Sequence, residues 1–303
     1  MMRIHVCLMW FVVLSACVQK QNLESDLDSL VASERAFSRL SETEGISKAF
    51  LTYFSVEAIA FRPIPVEARR RYEENPDIPG LLTWRPVFAD VSLAVDLGYT
   101  TGPYEFRDKS IEQKPSQYGH YVSLWKKQAD GSWRVALDVG NVYDGPDTTA
   151  GDLTFAETSR MVSMSDIDIT RDKDVLLEAD HTLSETLRTK GIAEAYKGWL
   201  DKKALFYRKG IFPASDGATI RAALPREGIL ILSPMAAEVS QSGELGYTYG
   251  LAAWKSIHHP DKPDSFGSYL HIWKKQADGS WRIVLDFESP MPPSDVPESL
   301  LPK

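Results

Sequence analysis

Apolar residues at helical spacing begin the patterned part of the chain. Leu23, Leu27, Leu30, Val31, Phe37 and Leu40 share one stripe, Gly45 interrupts it, and Ile46, Phe50, Leu51 and Phe54 continue on a second helix. The pattern returns as Leu176, Leu183 and Leu187, a break at Gly191, then Ile192, Tyr196, Trp199 and Leu200. A short strand is predicted after each helix pair, Ala58 to Arg62 and Ala204 to Arg208, followed by a small third helix at 66–74 and 218–224. Alternating runs then predict three strands in each half: 91–106, 119–128 and 133–140, then 239–254, 267–276 and 281–288. Asp130-Gly131 and Asp278-Gly279 mark hairpins, because glycine accepts the positive φ of a tight turn.

The two halves are copies. Trp125 to Arg134, Trp-Lys-Lys-Gln-Ala-Asp-Gly-Ser-Trp-Arg, recurs unchanged as Trp273 to Arg282, an offset of 148. That offset also pairs Leu97-Gly98-Tyr99-Thr100 with Leu245-Gly246-Tyr247-Thr248, Tyr121 with Tyr269, and Leu137-Asp138 with Leu285-Asp286. Upstream the offset is 146, pairing Gly45 with Gly191 and Arg62 with Arg208. A period this long suits a duplicated domain and is too long for a solenoid unit. Helices followed by antiparallel strands make each copy α+β and exclude the parallel nucleotide-binding folds. The expected organisation is a signal peptide over 1–16, a tether over 17–22, a first domain over 23–141 and a linker over 142–172. A second domain over 173–288 and a Pro-rich, extended or disordered tail over 289–303 complete it.

Composition narrows the function. With 34 Lys plus Arg against 42 Asp plus Glu, the formal charge is -8, which opposes a nucleic-acid partner. The only cysteines, Cys7 and Cys17, lie near the N-terminus, so neither a disulfide framework nor a cysteine zinc site can hold the body together. The apolar run Val6 to Leu14 has the length of a signal-peptide core. It ends in Leu14-Ser15-Ala16-Cys17, which resembles the lipobox of bacterial lipoproteins. That resemblance implies acylation of Cys17, a lipid bilayer as partner, and a membrane-anchored place in the cell envelope facing the periplasm.

Asp-Leu-Gly-Tyr-Thr-Thr-Gly at 96–102 and Tyr-x-x-x-Trp-Lys-Lys-x-x-Asp-Gly-x-Trp-Arg at 121–134 resemble the SnoaL-like families of the nuclear-transport-factor-2-like superfamily, domains of unknown function among them. The resemblance covers both copies. It implies two tandem cones, in each of which a strongly curved antiparallel sheet wraps helices and leaves a pocket at the open end. It also implies a sheet-to-sheet pseudo-dimer made within one chain. Ketosteroid isomerases of this superfamily carry a general-base aspartate at the position that Arg62 and Arg208 occupy here. An arginine cannot remove a proton at neutral pH; its planar fork instead suits an anionic ligand or a carboxylate of its own domain.

Alternation places Ala58, Ala60 and Arg62 on one face, with Ala204, Phe206 and Arg208 on the equivalent one. Tyr99 and Tyr247 are expected at a pocket wall or in the core, and Tyr121 and Tyr269 in core, interface or pocket. Trp133, Val135, Leu137 and Val139 form one row, which puts Asp138 on the opposite face. Asp138 and its counterpart Asp286 are therefore expected at an interface or as pocket acids. Gly98 and Gly102, matched by Gly246 and Gly250, are expected to permit sheet bending or bulges. Arg69-Arg70-Arg71 reads as a solvated helix face, and His258-His259 as a hairpin loop and not a metal site. No catalytic residue, cofactor or metal is assigned. The expectation is that the cones bind a small apolar or anionic molecule without transforming it. Two alternatives stay open: an isomerase, cyclase or dehydratase using Tyr99 or Tyr247 with Asp138, and an interaction module whose pockets are filled.

Overall fold

A computed structural model describes residues 5–156, 167–215, 219–220, 228–255, 263–292, 294 and 296. The first copy begins with α1 (His5–Glu44) and α2 (Ile46–Tyr53), separated by Gly45 at φ 92, a backbone conformation that favours glycine; Gly191, at φ 79, does the same in the second copy. The chain continues through β1 (Phe54–Phe61), β2 (Pro65–Glu67), α3 (Arg69–Glu74), β3 (Leu81–Trp84), β4 (Phe88–Val91), β5 (Leu97–Arg107), β6 (Gln117–Lys127), β7 (Trp133–Tyr143) and β8 (Thr154–Phe155). The second copy contains α4 (Ile169–Lys190), α5 (Ile192–Trp199), β9 (Leu200–Arg208), β10 (Ile211–Ala214), β11 (Ile229–Val239), β12 (Leu245–Lys255), β13 (Ser265–Lys275) and β14 (Trp281–Met291).

Each copy forms one sheet, ordered β2-β1-β7-β6-β5-β4-β8 with β3 also on β5, and β10-β9-β14-β13-β12-β11. The chain is therefore α+β, two helix-filled curved sheets in tandem. The inner face of the first sheet packs Leu30, Phe37, Phe50, Trp125 and Val135 around α1 and α2; Leu176, Leu183, Phe206, Trp273 and Ile283 do this around α4 and α5. The outer faces share a third cluster. Phe61, Leu97, Tyr99, Val122, Leu124, Leu137 and Val139 meet their own repeat counterparts Tyr207, Leu245, Tyr247, Leu270, Ile272, Leu285 and Phe287.

Several expectations change. The run at 91–106 is two strands, β4 and β5, broken by a turn in which Val95 sits at φ 58, and the run at 239–254 ends β11 and begins β12. Most of β11 lies outside the predicted strands, and β14 extends through Met291 into the expected tail, pairing with Phe266. Gly102 serves a close approach of the backbone. A Cβ there would lie 2.0 Å from the Arg85 carbonyl, where the chain crosses from β3 to β4; at Gly250 it would lie 2.2 Å from the Ser233 carbonyl. Most of the expected helix at 218–224, and His258-His259, lie outside the described residues.

The largest correction concerns β7. Leu124 pairs with Leu137 but Trp125 pairs with Val135, so Ala136 is an extra residue, a β-bulge. Before it, Trp133 and Val135 face the helices; after it, Leu137 and Val139 face the other copy. The bulge thereby turns Asp138 into the cone. The same step occurs in β14, where Ile272 pairs with Leu285 and Trp273 with Ile283, turning Asp286 inward.

Candidate functional site

The first cone encloses a cavity of about 290 Å³. Apolar walls come from Phe37, Ile46 and Phe50 on the helices and from Leu82, Trp84 and Phe106 on the sheet. Arg62, Tyr104, Tyr121, Ser123 and Asp138 bring polar groups into this one space. Arg62 and Gly140 are exposed, while Asp138 and Tyr104 are half-buried, so the cavity opens to solvent.

Arg62 follows Ala58 and Ala60 along the inner row of β1, both of them fully buried, and so enters at the cavity's wall. Its Nη1 donates to the Phe61 carbonyl at 2.8 Å and its Nη2 to Tyr72 Oη at 2.9 Å. Among the described residues its Nε has no hydrogen-bond partner and the guanidinium forms no ion pair. Although the residue as a whole is exposed, the protein packed around its guanidinium opposes the charge, but Tyr72 and Asp138 nearby outweigh this and hold the group more firmly protonated than usual.

Asp138 accepts from Ser123 Oγ at 2.9 Å. Burial pushes its carboxyl up to about 6, against the opposing pull of Arg62 and Ser123. Burial also drives the Tyr104 hydroxyl up to about 12, with Arg62 opposing. Tyr121 is 6% exposed and its buried hydroxyl has no hydrogen-bond partner among the described residues. Such a group is costly unless something in the cavity satisfies it. Arg71, expected on a solvated face, also lines the cavity, whereas Arg69 anchors the carbonyls of Leu51 and Phe54 and Arg70 pairs with Glu74. Arg62 and Arg71 thus line the same cavity as Asp138.

In the second copy the equivalent arginine is paired with carboxylates of its own domain. Arg208 is bidentate to Asp286, at 2.8 and 3.1 Å, and its Nε lies 3.2 Å from Glu288 Oε2. The guanidinium stacks 3.8 Å over the Phe206 ring and donates to Tyr196 Oη at 3.2 Å. Burial would raise the Asp286 carboxyl, but Arg208 and His271 prevail and hold it below the usual range. His271 Nδ1 lies 2.7 Å from Asp180 Oδ1, and Tyr269 donates to Asp180 Oδ2 at 2.9 Å. Burial lowers the imidazole pKa, yet Asp180 outweighs it and the net direction is upward.

The structure therefore brings Arg62, Tyr121 and Asp138 together in one cavity and closes Arg208, Tyr269 and Asp286 into a buried polar network. Tyr99 and Tyr247 lie instead between the two sheets, on the face opposite each cone interior. Cys17 falls within α1, its side chain outside the described residues. Sequence reasoning did not single out Tyr72, Tyr104, Ser123 or Glu34. Glu34 was detectable, since it interrupts the buried stripe between Leu30 and Phe37, and Asp180 interrupts its counterpart between Leu176 and Leu183. A broader groove of about 740 Å³ runs between the copies, edged by Tyr99, Phe155, Lys202 and Arg282, with Lys274 already paired to Asp90 at 2.7 Å.

No family model matches the chain, and no curated protein matches it. Among solved structures, it is similar to an NTF2-like protein with a cystatin-like fold from Novosphingobium aromaticivorans, at 11% identity over 45% of this chain and 94% of that one, with a TM-score of 0.35. It is also similar to a ketosteroid isomerase-like protein from Erwinia carotovora atroseptica, at 16% identity over 40% and 98% of the two chains, TM-score 0.31. A domain of unknown function with a cystatin-like fold from Nostoc punctiforme matches at 15% identity over 36% and 74%, TM-score 0.29.

Proposed function

We propose that the first copy binds a small, mainly apolar molecule through an anionic group held at Arg62, without transforming it. The observation that carries this reading is the contrast between two equivalent arginines: Arg208 is neutralised by Asp286 and Glu288, whereas Arg62 has no ion pair among the described residues. The apolar walls suit a ring or short hydrocarbon, and a cavity of about 290 Å³ lies at the small end of ligand pockets, near 300 Å³. The unpartnered Tyr121 hydroxyl adds a donor for the ligand.

Calorimetric titration with benzoate, benzenesulfonate and phenylphosphate tests this on the wild-type chain and Arg62→Met. At least one probe is expected to bind the wild type, and Arg62→Met to weaken it by about tenfold or more. Binding of none of the three, or equal binding by the variant, overturns the reading.

A second reading, acid–base catalysis, draws support from Asp138, whose carboxyl near 6 shares the cavity with Tyr121. Tyr99 and Tyr247 have no part in it, because they lie across the sheets from each cone interior.

We further propose that the chain is a lipoprotein of the cell envelope, anchored through acylated Cys17. Support comes from Val6 to Leu14 and the Leu-Ser-Ala-Cys that follows. Among the described residues no helix is long and apolar enough to cross a membrane. Release of Cys17→Ala from the membrane fraction is expected; retention resistant to salt would count against acylation.

A further inference from the structure

The second copy shows how this architecture holds a carboxylate. Arg208 and Arg62 are counterparts, and each anchors its Nη1 on the carbonyl of the preceding residue, at 2.9 Å on Tyr207 and 2.8 Å on Phe61. The Nε edge differs. In the second copy it faces Glu288 Oε2 at 3.2 Å; in the first, the residue at the Glu288 position is Gly140, and the Nε of Arg62 has no partner among the described residues. Gly140 itself lines the cavity. Glycine is not required there by backbone conformation: a Cβ at Gly140 would meet only the His120 carbonyl and Tyr104 Cε1, both at 3.4 Å.

The remaining differences agree. Where the second copy has His271, the first has Ser123, whose hydroxyl turns to Asp138 at 2.9 Å, so Asp138 is held by Ser123 and forms no ion pair with Arg62. Where the second copy has Tyr196, reaching Arg208 at 3.2 Å, the first has Phe50 and presents an apolar wall.

We infer that Glu288 is a built-in counterpart of the first copy's ligand: the ligand of the first cone is a carboxylate, seated over Gly140 on the Nε edge of Arg62, and the second cone is closed to such molecules by its own Glu288. This rests on the ligand-binding reading above and narrows its anionic group to a planar carboxylate. Asp138 lines the same cavity, so its charge bears on the affinity for an anion.

The experiment uses benzoate, benzenesulfonate and the neutral benzamide on the wild type, Gly140→Glu and Gly140→Gln. Benzoate is expected to bind the wild type with one site, at least ~10-fold tighter than benzamide or benzenesulfonate. Gly140→Glu is expected to lose benzoate binding and to melt at a higher temperature than Gly140→Gln, because only a glutamate at 140 supplies the charge that Glu288 gives Arg208. Tighter binding of benzenesulfonate, undiminished benzoate binding by Gly140→Glu, or equal melting of the two variants each overturns this inference and leaves the broader ligand-binding reading standing. Failure of every anionic probe to bind the wild type removes that broader reading instead.

Discussion

The buried carboxyl of Glu34 gives the structure a measurable pH signature. Glu34 is fully buried on the inner stripe of α1. Trp84 Nε1, Thr100 Oγ1 and Trp125 Nε1, the last at 3.0 Å, donate to its two oxygens. Burial raises its pKa from an ordinary 4.5 to about 7, because three donors only partly replace water around a charge. The folded protein therefore holds the proton more tightly than the unfolded chain. Below pH 4.5 both states are protonated and there is no cost. As the pH rises toward 7 the unfolded state ionises first, so stability falls, by about 3 kcal/mol in all at ~1.4 kcal/mol per pH unit. About 2 kcal/mol of this lies between pH 5 and pH 7.5. Glu34→Gln removes the titration. Its amide has one acceptor oxygen instead of two, but Thr100 Oγ1, already 3.2 Å from Trp125 Nε1, can turn to accept from the amide. The resulting offset, on the order of 1 kcal/mol, is independent of pH. Urea unfolding of both proteins at pH 5 and 7.5 measures the difference in slope, which cancels other titrating groups. If the two proteins lose the same stability between those pH values, Glu34 is not a neutral buried acid and the burial argument is wrong.

Three further outcomes follow from the same geometry. Benzoate binding should weaken as the pH rises through about 6, because ionised Asp138 repels the bound carboxylate, and Asp138→Asn should remove that dependence in titrations at pH 5 and 7.5. The turns at Ser92–Asp96 and Ser240–Glu244 cap each other: Glu244 Oε1 accepts from the Leu93 N–H at 2.6 Å and Asp96 Oδ2 from the Gln241 N–H at 2.8 Å. Glu244 is buried and Gln241 exposed, so Glu244→Ala should cost about 1–3 kcal/mol in urea unfolding and Asp96→Ala less. Gly243 sits at φ 70, and a Cβ there would lie 3.2 Å from Ile167 Cγ2, so Gly243→Val should lower the melting temperature, with a left-handed cost of ~1–2 kcal/mol.

The sequence pattern revealed the duplication, the helix pairs and the hairpins because each is encoded locally, in periodicity or in an Asp-Gly turn. It misled at the places where the chain departs from regular pleating without a breaker residue. Ala136 in the first copy and Val284 in the second are extra residues in otherwise smooth apolar runs, and nothing in their composition marks a bulge. Strict alternation consequently put Trp133 and Val135 on the same face as Leu137 and Val139, and so left open whether Asp138 and Asp286, correctly opposite Leu137 and Leu285, face the helices or the other copy. The turn at Ser92–Asp96 reads as strand because its left-handed residue is Val95. Its counterpart is Gly243, so aligning the two copies at that position exposes the turn. The cavity itself was legible only as Arg62 and its row, since its walls come from elements that alternation treats separately.

The same comparison explains why the copies remain alike on one face and differ on the other. On the outer faces, Leu97, Tyr99 and Leu137 repeat as Leu245, Tyr247 and Leu285, and the other pairs, such as Val122 with Leu270, exchange one apolar group for another. Each of those residues packs in a cluster shared by the two copies, so a change in either copy must suit both. Inside the cones no such constraint acts, because each interior touches mainly its own helices. There Ser123 stands against His271, Tyr104 against Ala252 and Gly140 against Glu288. The polar network of Asp180, His271, Asp286 and Arg208 meets the hydrogen-bonding needs of its buried groups from within the second copy. The first copy lacks the Glu288 carboxylate while keeping the arginine. A duplicated arginine that pairs with two carboxylates in one copy, and in the other lacks the second and forms no ion pair with the first, is the arrangement expected if the second cone is closed by its own side chains and the first accepts an anion from solution.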